Sequence, residues 1–132
     1  MTKPSHPTLH VCITCTAGQG EDATAEPPGA RLLSRLHAAR AERAEKLELQ
    51  AVSCLAACAR GCTAAIFMPG KNFFYLLGHL RPEQAEDLLE YAGLYAASPT
   101  GAVMPSRRAL SLRDAIIGRF PAHAAPHPQE AR

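Results

Sequence analysis

The sequence predicts a mixed α/β domain in which a four-stranded sheet carries packed helices. Three observations predict it: an opening strand–helix–strand order, an apolar hairpin after it, and a second amphipathic helix closing that unit. With 132 residues, 47% of them hydrophobic and 20% charged, the chain is long and apolar enough to bury one core without staples.

Residues 1–7, with Pro4 and Pro7, read as a flexible tail. "TLHVC" (8–12) is β-branched and apolar, a short strand that ends on a cysteine. Gly, Pro and small polar residues make 16–29 a loop. A helix follows from "PPGARLLSRLHAARAERAEK", with proline in its first turn and Leu32, Leu33, Leu36 and Ala39 on one face. "LELQAVS" (47–53) alternates as a second strand. "AAIFM" (64–68), the turn "PGKN" (69–72) and "FFYLLGH" (73–79) form a hairpin in which Phe73, Phe74 and Tyr75 belong to a buried strand. Pro82 opens a helix with Ala85, Leu88, Leu89, Ala92 and Tyr95 or Ala96 at helical spacing. Residues 8–97 thus form the domain and 98–121 an extension. In that extension "SLRDAIIGRF" (111–120) is expected to add a helical turn or two over the sheet. The Pro/His-rich 122–132 is expected to be disordered.

A strand–helix–strand unit implies a parallel crossover, and the hairpin adds two antiparallel strands. That order is an α/β sandwich of the thioredoxin-like kind. Both cysteine groups, "CITC" (Cys12, Cys15) and "CLAACARGC" (Cys54, Cys58, Cys62), then follow the C-terminal ends of two parallel strands. Sites in open α/β sheets are built at that edge.

Composition excludes several functions. A net charge of +2, with no basic cluster interleaved with aromatics, argues against nucleic acid, and "SRR" (106–108) reads as solvated surface. No run reaches membrane-spanning length and the first residues do not resemble a signal peptide, so a cytoplasmic location is expected. In that reducing compartment clustered cysteines serve as metal ligands or catalytic thiols, and an odd count of five suits no disulfide framework.

Five readings compete for these thiols. A redox dithiol needs its first cysteine at a helix N-terminus, whereas "CITC" runs into a long loop. Structural zinc would take Cys12, Cys15, Cys54 and Cys58 as a tetrahedral set. Histidines add little to it: His6, His37, His79, His123 and His127 lie away from the cysteines, and His10 is a strand residue. A [2Fe–2S] or [4Fe–4S] cluster suits the same four thiolates. Ala56, Ala57, Ala59 and Gly61 would let backbone N–H groups approach the sulfurs, with Arg60 and Lys71 adding positive charge. Burial as small apolar residues is the remaining reading. A nucleophilic Cys15 or Cys62 lacks an attendant His or acid at recognisable spacing, so no enzyme is expected.

"CLAACARGCTAAIFMPGKNFFY" and "LHVC" resemble the cluster-bearing segments of the thioredoxin-like [2Fe–2S] ferredoxins, over residues 8–97. The resemblance implies Cys54 and Cys58 as the ligands of the second loop and Cys12 as the first ligand of the first. Those ferredoxins place the other first-loop ligand further along, where this chain offers only Cys15. They often have proline where Cys62 stands. Cys15 is the expected fourth ligand, with Cys62 the alternative or a neighbour of the site. The resemblance further implies a one-electron carrier for a partner protein, working as a homodimer. "VCITC", "CLAACARGC" and "RDAIIGRFP" also resemble a bacterial family of small metal-binding proteins often encoded beside cobalamin-related genes, which implies a cobalt or tetrapyrrole context.

Overall fold

A parallel pair and an antiparallel hairpin organise the molecule. The computed structural model describes residues 6–14, 27–43, 46–53, 55 and 61–121. Strand β1 (Thr8–Cys12) leads to helix α1 (Pro28–Arg43) and strand β2 (Glu48–Val52). Strands β3 (Ala64–Phe67) and β4 (Phe73–Leu77) precede a 3-10 turn at Pro82–Gln84 and helix α2 (Ala85–Ala97). Two further 3-10 turns, Pro105–Arg107 and Leu110–Leu112, lead to strand β5 (Ile116–Pro121). The sheet order is β2-β1-β3-β4-β5.

β1 and β2 are parallel, Cys12 standing opposite Val52. β3 runs antiparallel to both β1 and β4. Pro69 and Gly70 turn the hairpin: the Lys71 N–H donates to the Met68 carbonyl at 3.2 Å, and Gly70 takes a φ of +92° that only glycine adopts without cost. These elements match the sequence-predicted order, so the mixed α/β fold stands.

The fifth strand is an addition to the expected sheet. "SLRDAIIGRF" supplies the turn at Leu110–Leu112, but its second half pairs antiparallel with β4 instead of forming a helix over the sheet. Two ring contacts hold it: Phe120 stacks on Phe74 at 5.1 Å between centroids, and the Arg119 guanidinium lies 4.4 Å over the Phe73 ring. Backbone bonds stitch the preceding segment to β4 at both ends, from Phe73 N–H to the Thr100 carbonyl and from Gly78 N–H to the Ala115 carbonyl.

Alternation decides which face is core. Leu9, Val11, Ala64, Ile66, Tyr75 and Leu77 are buried, whereas Thr8, His10, Ala65, Phe67, Phe74 and Leu76 between them are half-buried. α1 packs on the sheet at β1 and β2 and against α2, whose Tyr95 meets the buried Tyr75 of β4. α1 contributes Leu32, Leu36 and Ala39 at helical spacing, and α2 contributes Leu88, Leu89, Tyr91, Ala92 and Tyr95. Tyr91, absent from the expected stripe, widens it, and one turn earlier Asp87 accepts a hydrogen bond from Ser111 of the 98–112 segment. On the edge strand β2, Leu49 and Val52 are half-buried while Ala51 is exposed. Pro7 is buried, and its carbonyl accepts the Glu48 N–H at 3.0 Å. The disorder expected for 122–132 falls outside the described residues.

Candidate metal centre

Cys12 is the last residue of β1, and three segments close around it. Its own N–H donates to the Thr63 carbonyl at 3.1 Å, and the Ile13 N–H donates to the Val52 carbonyl at 3.0 Å. The chain leaving β1 is thus held by β2 on one side and by the residue before β3 on the other. Thr63 follows Cys62, and Val52 and Ser53 precede Cys54. Cys12 therefore meets the residue after Cys62 and the end of the strand that precedes Cys54 at one end of the sheet, as the parallel crossover requires.

The Cys12 side chain is 3% exposed. Its sulfur lies 3.7 Å from Thr14 Oγ1 and 3.8 Å from the Ser53 carbonyl oxygen. Thr14 Oγ1 donates to that same Ser53 carbonyl. Cys62 is fully buried, and its carbonyl accepts the Leu80 N–H at 3.0 Å. Leu55 is partly buried against the core, anchoring the chain just after Cys54.

The first turn of α1 presses on the same place. A Cβ built on Gly29 would overlap the Cys12 carbonyl oxygen and come within 3.4 Å of Ile13 Cα. The long loop after "CITC" therefore returns a helix N-terminus to Cys12, contrary to what loop length alone suggested. The first turn of α1 thus lies against the main chain that carries the Cys12 sulfur.

Cys15, Cys54 and Cys58 lie outside the described residues, and so does Arg60. Among the described residues no group of three or more His, Cys, Asp or Glu side chains is placed to hold a metal ion. Lys71 corrects an expectation. It belongs to the β3–β4 turn, at the end of the sheet opposite Cys12, because β3 runs antiparallel to β1. Its Nζ donates to the Ala96 and Ser98 carbonyls at 2.7 and 2.5 Å, capping α2. His79 shows the reverse. Distant in sequence from every cysteine, it sits at the cysteine end with φ +55°, one residue before the Leu80 N–H that binds Cys62. His10 is a half-buried strand residue. Sequence reasoning passed over Thr14, Ser53 and Gly29, for which the only signals were adjacency to a cysteine and a glycine after two prolines.

This arrangement, a mixed sheet with cysteine-bearing segments at the ends of its parallel pair, defines the chain as a thioredoxin-like α/β protein. It is similar to the structure of a thioredoxin-like [2Fe–2S] ferredoxin from Aquifex aeolicus, at 13% identity and a TM-score of 0.55, covering 90% of this chain and 98% of that one. A cysteine-to-serine variant of that ferredoxin gives 12% identity and a TM-score of 0.55 over 85% and 98% of the two chains. The chain belongs to the family described as a protein of unknown function (DUF1636), whose model matches residues 9–122. No curated protein matches it. No helix among the described residues is long and apolar enough to cross a membrane.

Proposed function

We propose that this protein is a small iron–sulfur protein that carries single electrons to or from a partner enzyme and catalyses no reaction of its own. One observation carries the reading: Cys12, at the end of β1, has its sulfur 3.8 Å from the carbonyl of Ser53, the residue before Cys54. A thiol buried where a second cysteine-bearing segment arrives suits a shared metal or cluster, because thiolate donors select iron–sulfur clusters and zinc. Cys12, Cys15, Cys54 and Cys58 would hold a [2Fe–2S] cluster, with Cys62 the alternative to Cys15. Bound there, the cluster supplies a one-electron couple whose potential depends on hydrogen bonds and solvent access at the sulfurs.

The chain's own residues contribute the rest. The first turn of α1 packs on the Cys12 main chain, the end of β1 is clamped between β2 and the Thr63 carbonyl, and burial of Cys12 keeps water from its sulfur. The resemblance to the thioredoxin-like ferredoxins adds a homodimer, and that to the small bacterial metal-binding proteins adds a cobalt or tetrapyrrole context.

Anaerobic purification followed by iron, sulfide and zinc analysis, absorption and EPR tests this function. A coloured protein with iron and sulfide in equal amounts and an EPR signal on reduction is the expected result. One zinc per chain with no sulfide would make it a structural or metal-delivery protein, and a chain that takes up neither after reconstitution would overturn metal binding altogether. Sedimentation of the loaded protein reads the dimer.

A further inference from the structure

We propose that the Thr14 hydroxyl is a positioning group for the Cys12 sulfur, exchanging the Ser53 carbonyl for that sulfur when Cys12 becomes a thiolate ligand. This rests on the reading of Cys12 as a metal ligand.

The argument is one of donors and acceptors. Among the described residues the Cys12 sulfur has two polar neighbours, Thr14 Oγ1 at 3.7 Å and the Ser53 carbonyl oxygen at 3.8 Å. A carbonyl can only accept, so the Thr14 O–H, which reaches Ser53, must be donating to it. As a thiol, Cys12 is compatible with this set, since its S–H can donate to either oxygen. As a ligand it is not. The S–H proton leaves to solvent as the sulfur–metal bond forms, and the thiolate then faces a carbonyl oxygen and the lone pairs of a hydroxyl. Turning the Thr14 O–H about its Cβ–Oγ bond relieves this, because hydroxyl rotors follow their acceptors. The sulfur gains a charge-assisted hydrogen bond. Ser53, an exposed residue, turns to water instead.

Position adds to the case. Thr14 lies between Cys12 and Cys15, and Ser53 immediately precedes Cys54. One hydroxyl therefore joins two residues that adjoin the two cysteine groups in sequence. Valine has the shape of threonine without the hydroxyl, and at this exposed position it leaves the core untouched.

The test compares wild type, Thr14→Val and Thr14→Ser, first with Co(II) alone as the probe and then as reconstituted iron–sulfur protein. A hydrogen bond to the thiolate withdraws charge from it. Thr14→Val is therefore expected to move the thiolate-to-cobalt charge-transfer band to lower energy, to weaken Co(II) binding about tenfold, and to lower the reduction potential of the cluster. Thr14→Ser is expected to restore all three, and thermal unfolding of the metal-free variants should agree with wild type. A Thr14→Val protein with the wild-type band and affinity, or a Thr14→Ser protein that behaves like Thr14→Val, overturns the proposal, as does a wild-type chain that binds no Co(II). A chain that binds Co(II) with the expected variant shifts but assembles no iron–sulfur cluster supports the role of Thr14 and overturns the ferredoxin reading alone.

Discussion

Gly29 and Cys12 meet backbone to backbone, with no room for a side chain between the first turn of α1 and the carbonyl of the last β1 residue. Because the obstructing atoms are main chain on both sides, neither can swing aside as a side chain would. The Gly29→Ala variant must push the start of α1 away from Cys12. Overpacking of this kind costs about 1–3 kcal/mol. The expected outcome is a lower denaturation midpoint together with weaker Co(II) binding, since the main chain that carries the sulfur must shift. Urea unfolding and a cobalt titration on the same preparation check both. Unchanged stability would show that the contact is looser than the structure places it.

Lys71 should act on stability alone. Its ammonium group binds two carbonyls at the end of α2, where a cation also opposes the helix dipole. Lys71→Met keeps the stem and removes the charge, and is expected to cost about 1 kcal/mol. Metal content and reduction potential should stay at wild-type values, because the residue is at the opposite end of the sheet from Cys12. A shift in potential with no loss of stability would return Lys71 to the role that its sequence position suggested.

The contrast between Lys71 and His79 shows which information the residues carried. Apolar spacing at Leu32, Leu36 and Ala39, and at Leu88, Leu89 and Ala92, was sufficient for the helices, and the turn at Pro69–Gly70 for the hairpin. The meeting of Cys12 with the segment before Cys54 followed from the parallel crossover. Which end of the hairpin faces the cysteines depends on the pairing of β3 with β1, and that pairing puts Lys71 far and His79 near. β5 was hidden for a local reason. Its register against β4 slips between Leu76 and Leu77, which breaks the alternation that marks a strand. In addition, Leu112 and Ile116 stand four apart, as on a helix. The closeness of Gly29 to Cys12 leaves no pattern in the sequence, because it depends on how α1 settles on the sheet.

Tyr95 gives the protein an alkaline limit. Its hydroxyl donates to the Phe73 carbonyl at 2.6 Å and its ring meets Tyr75 edge-on, and burial pushes the phenol from 10.0 up to about 12. Tyr91 is raised in the same direction, also by burial. The folded protein thus holds these protons to a higher pH than the unfolded chain does. Stability from this source is complete below pH 10.0 and is lost as pH rises towards about 12. Tyr95→Phe should be less stable at neutral pH by about 1 kcal/mol, for the lost hydrogen bond, yet decline less steeply above pH 10.0. Denaturation midpoints measured from pH 7 to 11 read both effects, and parallel profiles for the two proteins would rule out Tyr95 as the titrating group.

Cys62 and Cys15 are separated by what their removal should do. Cys62 is fully buried within the hydrophobic core at the entry to β3, and its carbonyl fastens Leu80. A small residue there fills space, and Cys62→Ala is expected to cost about 1 kcal/mol through a small cavity while leaving the metal in place. Cys15 follows Thr14 in the sequence, and Thr14 is joined to Ser53 by its hydroxyl. Cys15→Ala is expected to leave folding stability near wild type and to remove most of the bound iron, as Cys12→Ala should. Iron and sulfide per chain, measured beside the thermal midpoint for all three variants, make the assignment. If Cys62→Ala loses its iron and Cys15→Ala keeps it, the fourth ligand lies at the start of β3, and the cluster is held across β1, β2 and β3 instead of by the two turns alone.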